Sequence, residues 1–152
     1  MRNLSDLRLN EGGQPVMRPP PEPSAISMFE KEFSVKIPNE IREFLGFSNG
    51  GHPELDSIIR GDEVFSISRF YHLSLDDKGS ESLWFAMKHW HSVIGENGFV
   101  FARDGGNNQF FLDMTVFPCQ VRYYSNRLGE NVFLCESFSK FIDELTVDLD
   151  AI

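Results

Sequence analysis

Cysteine is scarce in this chain, with two copies in 152 residues. Cys119 and Cys135 form no CxxC motif, so neither a zinc ribbon nor a thioredoxin-like redox pair is written here. A reduced pair in the cytoplasm is the default reading, and the spacing leaves a disulfide open. Long apolar runs are missing too. No stretch approaches the ~20 apolar residues that a membrane-spanning helix needs, and the N-terminus lacks the apolar core of a secretory signal. Cations are few and dispersed: 14 Lys and Arg stand against 23 Asp and Glu, for a formal net charge of −9. A free-standing nucleic-acid binder needs clustered Lys and Arg to neutralise phosphates, so direct nucleic-acid binding is not expected. Catalytic signatures are also wanting. The serines show no GxSxG elbow. The glycines of Asp104-Gly105-Gly106 lead into Asn107-Asn108 and not into the Lys-Ser/Thr of a P-loop. The acids Asp76-Asp77 and Asp148/Asp150 fall in polar or tail segments, where nothing separates their pKa values into an acid and a base.

Phenylalanine is abundant, with 15 copies, which predicts an aromatic-rich core. The length fits one domain able to bury a real core. Residues 1–23 carry Pro15, Pro19, Pro20, Pro21 and Pro23 with Gly12-Gly13, and their charges cancel, so all the net negative charge lies in residues 24–152. These 23 residues read as an extended arm of polyproline character near its end, lying on its own domain.

Ser24 is the expected N-cap of a first helix, with Ile26, Phe29 and Phe33 on its inner face. A second helix opens at Pro38, whose fixed φ suits the first helical position. Ile37, Ile41, Phe44 and Leu45 give it an apolar stripe, and Asn49-Gly50-Gly51 stop it. Residues 52–60 read as loop. Phe65 and Ile67 alternate with Ser66 and Ser68, the period-two mark of a half-buried strand within 62–70. Residues 73–82 are polar, turning at Asp76-Asp77-Lys78-Gly79, and 82–94 fits helix or strand equally. Phe99–Ala102 and Gln109–Met114, joined by Arg103–Asn108, form an expected β-hairpin. Short strands follow at Val121–Tyr124 and Val132–Cys135. Ser137 then caps a closing helix with the stripe Phe138, Phe141, Ile142, Leu145 and Leu149 and an acidic face of Asp143, Glu144, Asp148 and Asp150. Helices segregated from consecutive strands predict an α+β domain with a mainly antiparallel sheet and a C-terminal helix.

The run IPNEIREFLGFSNGG (37–51), the hairpin FVFARDGGNNQFFLD (99–113) and the closing SFSKFIDEL (137–145), in that order, resemble the SUKH superfamily. That superfamily groups fungal cell-wall-synthesis regulators with bacterial toxin-immunity proteins. The resemblance runs from about Ile26 to Leu145 and leaves out the arm and residues 52–61. It implies helices packed on a strongly bent sheet within a single 24–152 domain, and a binding role without catalysis or cofactor. In the bacterial branch it implies neutralisation of a cognate toxin, frequently a nuclease.

An acidic domain suits a basic protein partner, because complementary fields speed encounter. The expected contacts are acids in loops, Glu54, Asp56, Asp76, Asp77, Glu81 and Glu96, with Tyr71, Trp84 and Trp90 as anchors. The oligomeric expectation is a monomer or a homodimer through an exposed sheet edge. Two other classes stay open. One is a regulatory scaffold with several partners. The other is a small metal-dependent hydrolase using His89, His91 and Asp104. An HxH pair on a strand presents both imidazoles on one face, but zinc needs further ligands, and His52, His72, Cys119 and Cys135 stand at no recognisable ligand spacing.

Overall fold

The core forms where the sequence concentrates phenylalanine. A computed structural model describes residues 1–10 and 18–147. Leu149, Asp148 and Asp150 of the closing helix, and Gly12, Gly13 and Pro15 of the arm, lie outside the described residues. Helix α1 (Pro23–Phe33) is followed by α2 (Asn39–Phe47), the strands β1 (Ser57–Arg60), β2 (Glu63–Ser66) and β3 (Arg69–Phe70), then α3 (Leu83–Ile94). Strands β4 (Gly98–Arg103), β5 (Gln109–Asp113), β6 (Gln120–Ser125) and β7 (Glu130–Cys135) precede α4 (Phe138–Glu144). Strands β3 to β7 make one antiparallel sheet in sequence order, while β1 and β2 make a separate two-stranded ribbon. The α+β expectation holds.

Local chemistry fixes most boundaries. Ser82 and Ser137 cap α3 and α4, each hydroxyl accepting the N–H three residues on at 3.1 Å. Ser24 does not cap α1. That helix begins two residues earlier than a Ser24 cap would place it, with Pro23 in its first turn and Glu22 at the cap position, because proline already holds the helical φ. Pro38 likewise stands just before α2 and not within it. The closing helix ends at Glu144, since Thr146 leaves it to pair with Ser57. The stretch 82–94 resolves as helix: Leu83, Trp84, Ala86, Met87 and Trp90 recur at helical spacing on its buried side.

The hairpin of β4 and β5 turns on Asp104, whose Oδ1 accepts the N–H groups of Gly106 and Asn108 at 2.9 and 2.8 Å. Its Oδ2 accepts the Tyr123 hydroxyl at 2.6 Å. Asp104 is therefore consumed in shaping a turn. Phe110 and Tyr123 are cross-strand partners on one face of the sheet. On that side the Phe101 ring lies 5.2 Å from Phe138 and 5.6 Å from Phe141 of α4, with Phe44 of α2 5.9 Å from Phe138. Tyr124 projects from the opposite face, as strand alternation requires, and meets Trp90 of α3 at 6.0 Å. Phe29 brings in α1, touching Trp84 at 5.3 Å and Phe99 at 6.1 Å.

Residues 52–60, expected as loop, contain β1. The strand escapes a pattern search because Ile58 and Ile59 are adjacent: Ile58 enters the core and Ile59 faces solvent. The ribbon is fastened to the main sheet by Arg60, whose Nε donates to the Leu134 carbonyl at 2.7 Å, and by Phe65 against Tyr123 at 4.9 Å.

The Asn49-Gly50-Gly51 stop joins three segments. Asn49 accepts the Leu73 N–H and donates to the Leu73 and Pro19 carbonyls, at 2.8, 2.8 and 2.9 Å. Gly50 has φ +88° and comes so close to His72 that an added Cβ would meet the His72 Cβ at 2.9 Å. Leu7, in a short 3₁₀ turn (Leu4–Leu7), is wholly buried. Its carbonyl accepts the N–H groups of Glu54 and Leu55, and Asn10 pairs with His52. The Arg2 guanidinium donates to the Ile142 and Leu145 carbonyls at 3.0 and 2.8 Å, satisfying the open end of α4.

Candidate interaction surfaces

The loop between β3 and α3 carries four of the nine expected contact residues, Tyr71, Asp76, Asp77 and Glu81, and α3 carries Trp84 and Trp90; of these six only Asp76 is exposed. Tyr71, Trp84 and Trp90 are only 3, 4 and 5% exposed. The Tyr71 hydroxyl donates to Gln109 Oε1 at 2.5 Å, and Trp84 Nε1 donates to the Ser74 carbonyl at 2.8 Å, so their polar ends are satisfied inside. Exposed anchors are therefore not what these three rings provide. Burial pushes the Tyr71 phenol well above its ordinary range.

The acids of this loop are paired within the chain. Asp77 binds Arg18 at 2.9 Å and accepts the Gly79 N–H at 2.9 Å; that N–H foremost holds its carboxyl below the usual range. Glu81 lies between Arg69 at 3.2 Å and Arg103 at 3.7 Å. Lys78 sits 4.4 Å above the Trp84 ring. Asp76 is exposed. Pairing with three arginines from distant segments thus consumes most of the charge that the sequence placed in this loop.

His72 lies beneath the loop, 3% exposed, and neither ring nitrogen makes a hydrogen bond; Nε2 is 3.6 Å from Asp77 Oδ2. Burial, with Arg18 adding to it, holds this imidazole below its ordinary range against the opposing pull of Asp77 and Glu81. A depressed folded-state value means that the unfolded chain takes up the proton first. Stability should therefore fall as pH drops below the unfolded value of about 6.5, and His72→Gln should flatten that slope in urea titrations at successive pH values. Parallel slopes in the two proteins would contradict it.

Beside this loop an open cavity of about 340 Å³ is lined by Tyr71, Ser80, Phe85, His89, Trp90, Arg103 and Asn107. Phe85 and His89 stack at 5.5 Å on the outer side of α3. The expectation that His89 and His91 share a face fails, because residues two apart on a helix diverge. His91 instead lines a separate cavity with Glu32, Phe33, Lys88 and Glu96. Among the described residues no three His, Cys, Asp or Glu side chains converge as a metal site would require. Cys119 and Cys135 are free thiols, both pushed up chiefly by burial.

Glu96, at the end of α3, and Glu54, before β1, are exposed, and Asp56 is half-buried with its carboxylate accepting the Ser57 hydroxyl at 2.8 Å. A feature that sequence reasoning missed begins just after Asp56. The ribbon of β1 and β2 places Ile59 opposite Val64 on its outer side, 49 and 41% exposed, with Asp62 and Glu63 exposed at its tip. The signal was the uninterrupted Ile58-Ile59 pair, which reads as loop until the strand is known.

No described helix is long and apolar enough to cross a membrane. None of the curated proteins compared with the chain matches it. The model of the SMI1 / KNR4 family (SUKH-1) matches residues 20–144. That span holds every helix and strand from α1 to α4, runs through the 52–61 stretch that the resemblance left out, and excludes the turn containing Leu7. On that match over most of its length, the chain belongs to the SMI1 / KNR4 family (SUKH-1).

Proposed function

We propose that this chain is a non-catalytic, cytoplasmic protein-binding domain of the immunity type, which binds a basic toxin domain, of nuclease class, and neutralises it. The observation that carries the reading is the excess of acid over base, −9 in total, all of it within residues 24–152 and none in residues 1–23. A field of that sign draws a cationic partner and repels nucleic acid. The enzyme reading, built on His89, His91 and Asp104, finds little support: the two histidines diverge, and Asp104 is held by the turn and by Tyr123.

The test is affinity capture on the full chain from lysate of the native cell, eluted with salt. One stoichiometric basic protein is expected, toxic when expressed alone and harmless when co-expressed with this chain. Many substoichiometric proteins would favour a regulatory scaffold. Capture of none would overturn the binding reading.

A further inference from the structure

We infer that the outer face of the β1–β2 ribbon is a docking surface for a basic protein partner. This rests on the immunity-type reading above and adds the place on the molecule.

The ribbon is apolar on both sides. Ile58 and Phe65 face inward at 1 and 7% exposure, and the core needs them. A two-stranded ribbon with one side on the core has its other side in water, where polar residues cost nothing. Here that side carries the cross-strand pair Ile59 and Val64. Phe117 with its neighbour Val116, and Leu128, are also exposed, on the turns after β5 and β6.

Charge selects the occupant. Asp62 and Glu63 project at the ribbon tip, and Arg60, the cross-strand partner of Glu63, pairs with Glu144 at 2.8 Å. Thr146 pairs with Ser57, which brings the exposed Asp143 at the end of α4 alongside, where it accepts the Arg2 backbone N–H. Asp62 and Glu63 make no ion pair among the described residues. The loop of Asp77 and Glu81, by contrast, is neutralised by Arg18, Arg69 and Arg103. A cationic surface with an apolar centre therefore gains more at the ribbon than at the loop. Acid at the rim speeds encounter, and Ile59 and Val64 hold the complex.

The probe is the basic protein recovered by salt elution, purified and titrated against full-length variants whose far-ultraviolet spectra and melting match the parent. Reversal of Asp62→Lys with Glu63→Lys should slow association about tenfold at low ionic strength, with the difference closing as salt rises. Val64→Ser should leave association unchanged and speed dissociation about tenfold. Asp76→Lys, a single reversal on the neutralised loop, should alter either rate less than twofold, whereas Asp62→Lys alone should slow association about threefold. If ribbon variants bind as the parent does, this surface is wrong while the immunity reading stands. If no basic protein is recovered, both fall together.

Discussion

Removal of residues 1–10 is expected to destabilise the protein severely, although these residues lie outside the family match. Leu7 is wholly buried in the main core, and truncating it to alanine should alone cost about 3 kcal/mol through lost burial and the cavity left behind. The deletion also strips hydrogen bonds from Glu54, Leu55 and His52 and uncaps α4 at Ile142 and Leu145. Against a total of roughly 5–15 kcal/mol, that leaves little margin. Urea unfolding of the parent, Leu7→Ala and the shortened chain would rank them in that order. A shortened chain with the parent's midpoint would show the segment to be dispensable.

Phe101→Ala should rank beside it, at about 3–5 kcal/mol. The ring is 3% exposed and lies within 6.5 Å of Phe70, Phe110, Phe138 and Phe141, tying three strands to α4. Edge-on ring pairs add to the area term, so Phe101→Leu should recover much of the loss. Phe133→Ala, on a ring 44% exposed on edge strand β7, should change stability by less than about 0.5 kcal/mol. Equal losses at 101 and 133 would refute this account of the core.

The deletion also marks where sequence and structure part company. The β4–β5 hairpin, the α4 cap at Ser137 and the glycine stop after α2 were legible because each is a local bargain between a few neighbouring residues. An arm lying on its own domain was expected, but not what holds residues 1–10 there, since one leucine and one arginine carry that docking across the length of the chain. Acidic character was also legible, but not its distribution. Arg18, Arg69 and Arg103 reach Asp77 and Glu81 only once the sheet has formed. The same holds for Tyr71, Trp84 and Trp90: aromatic rings look alike in sequence whether they anchor a partner or fill a core. Strand β1 was lost because its outward residue is apolar, which erases the alternation that announces a strand. The position where the local rule fails is the one that carries the proposed docking surface.

Asn49 has a further, chemical consequence. Asparagine followed by glycine is the pair in which the next backbone nitrogen most readily attacks the side-chain carbonyl, converting the amide to a carboxylate with time. In the folded chain the Gly50 N–H is engaged with the Ser48 carbonyl at 2.9 Å, and the Asn49 carboxamide is pinned at both ends. Folding therefore withholds nucleophile and electrophile from each other, and ageing at this site proceeds through unfolded molecules. An aspartate formed there would keep an acceptor for Leu73 N–H but lose both donors, facing the Leu73 and Pro19 carbonyls with a negative charge. Each excursion to the unfolded state thus carries a risk of permanent damage at Asn49.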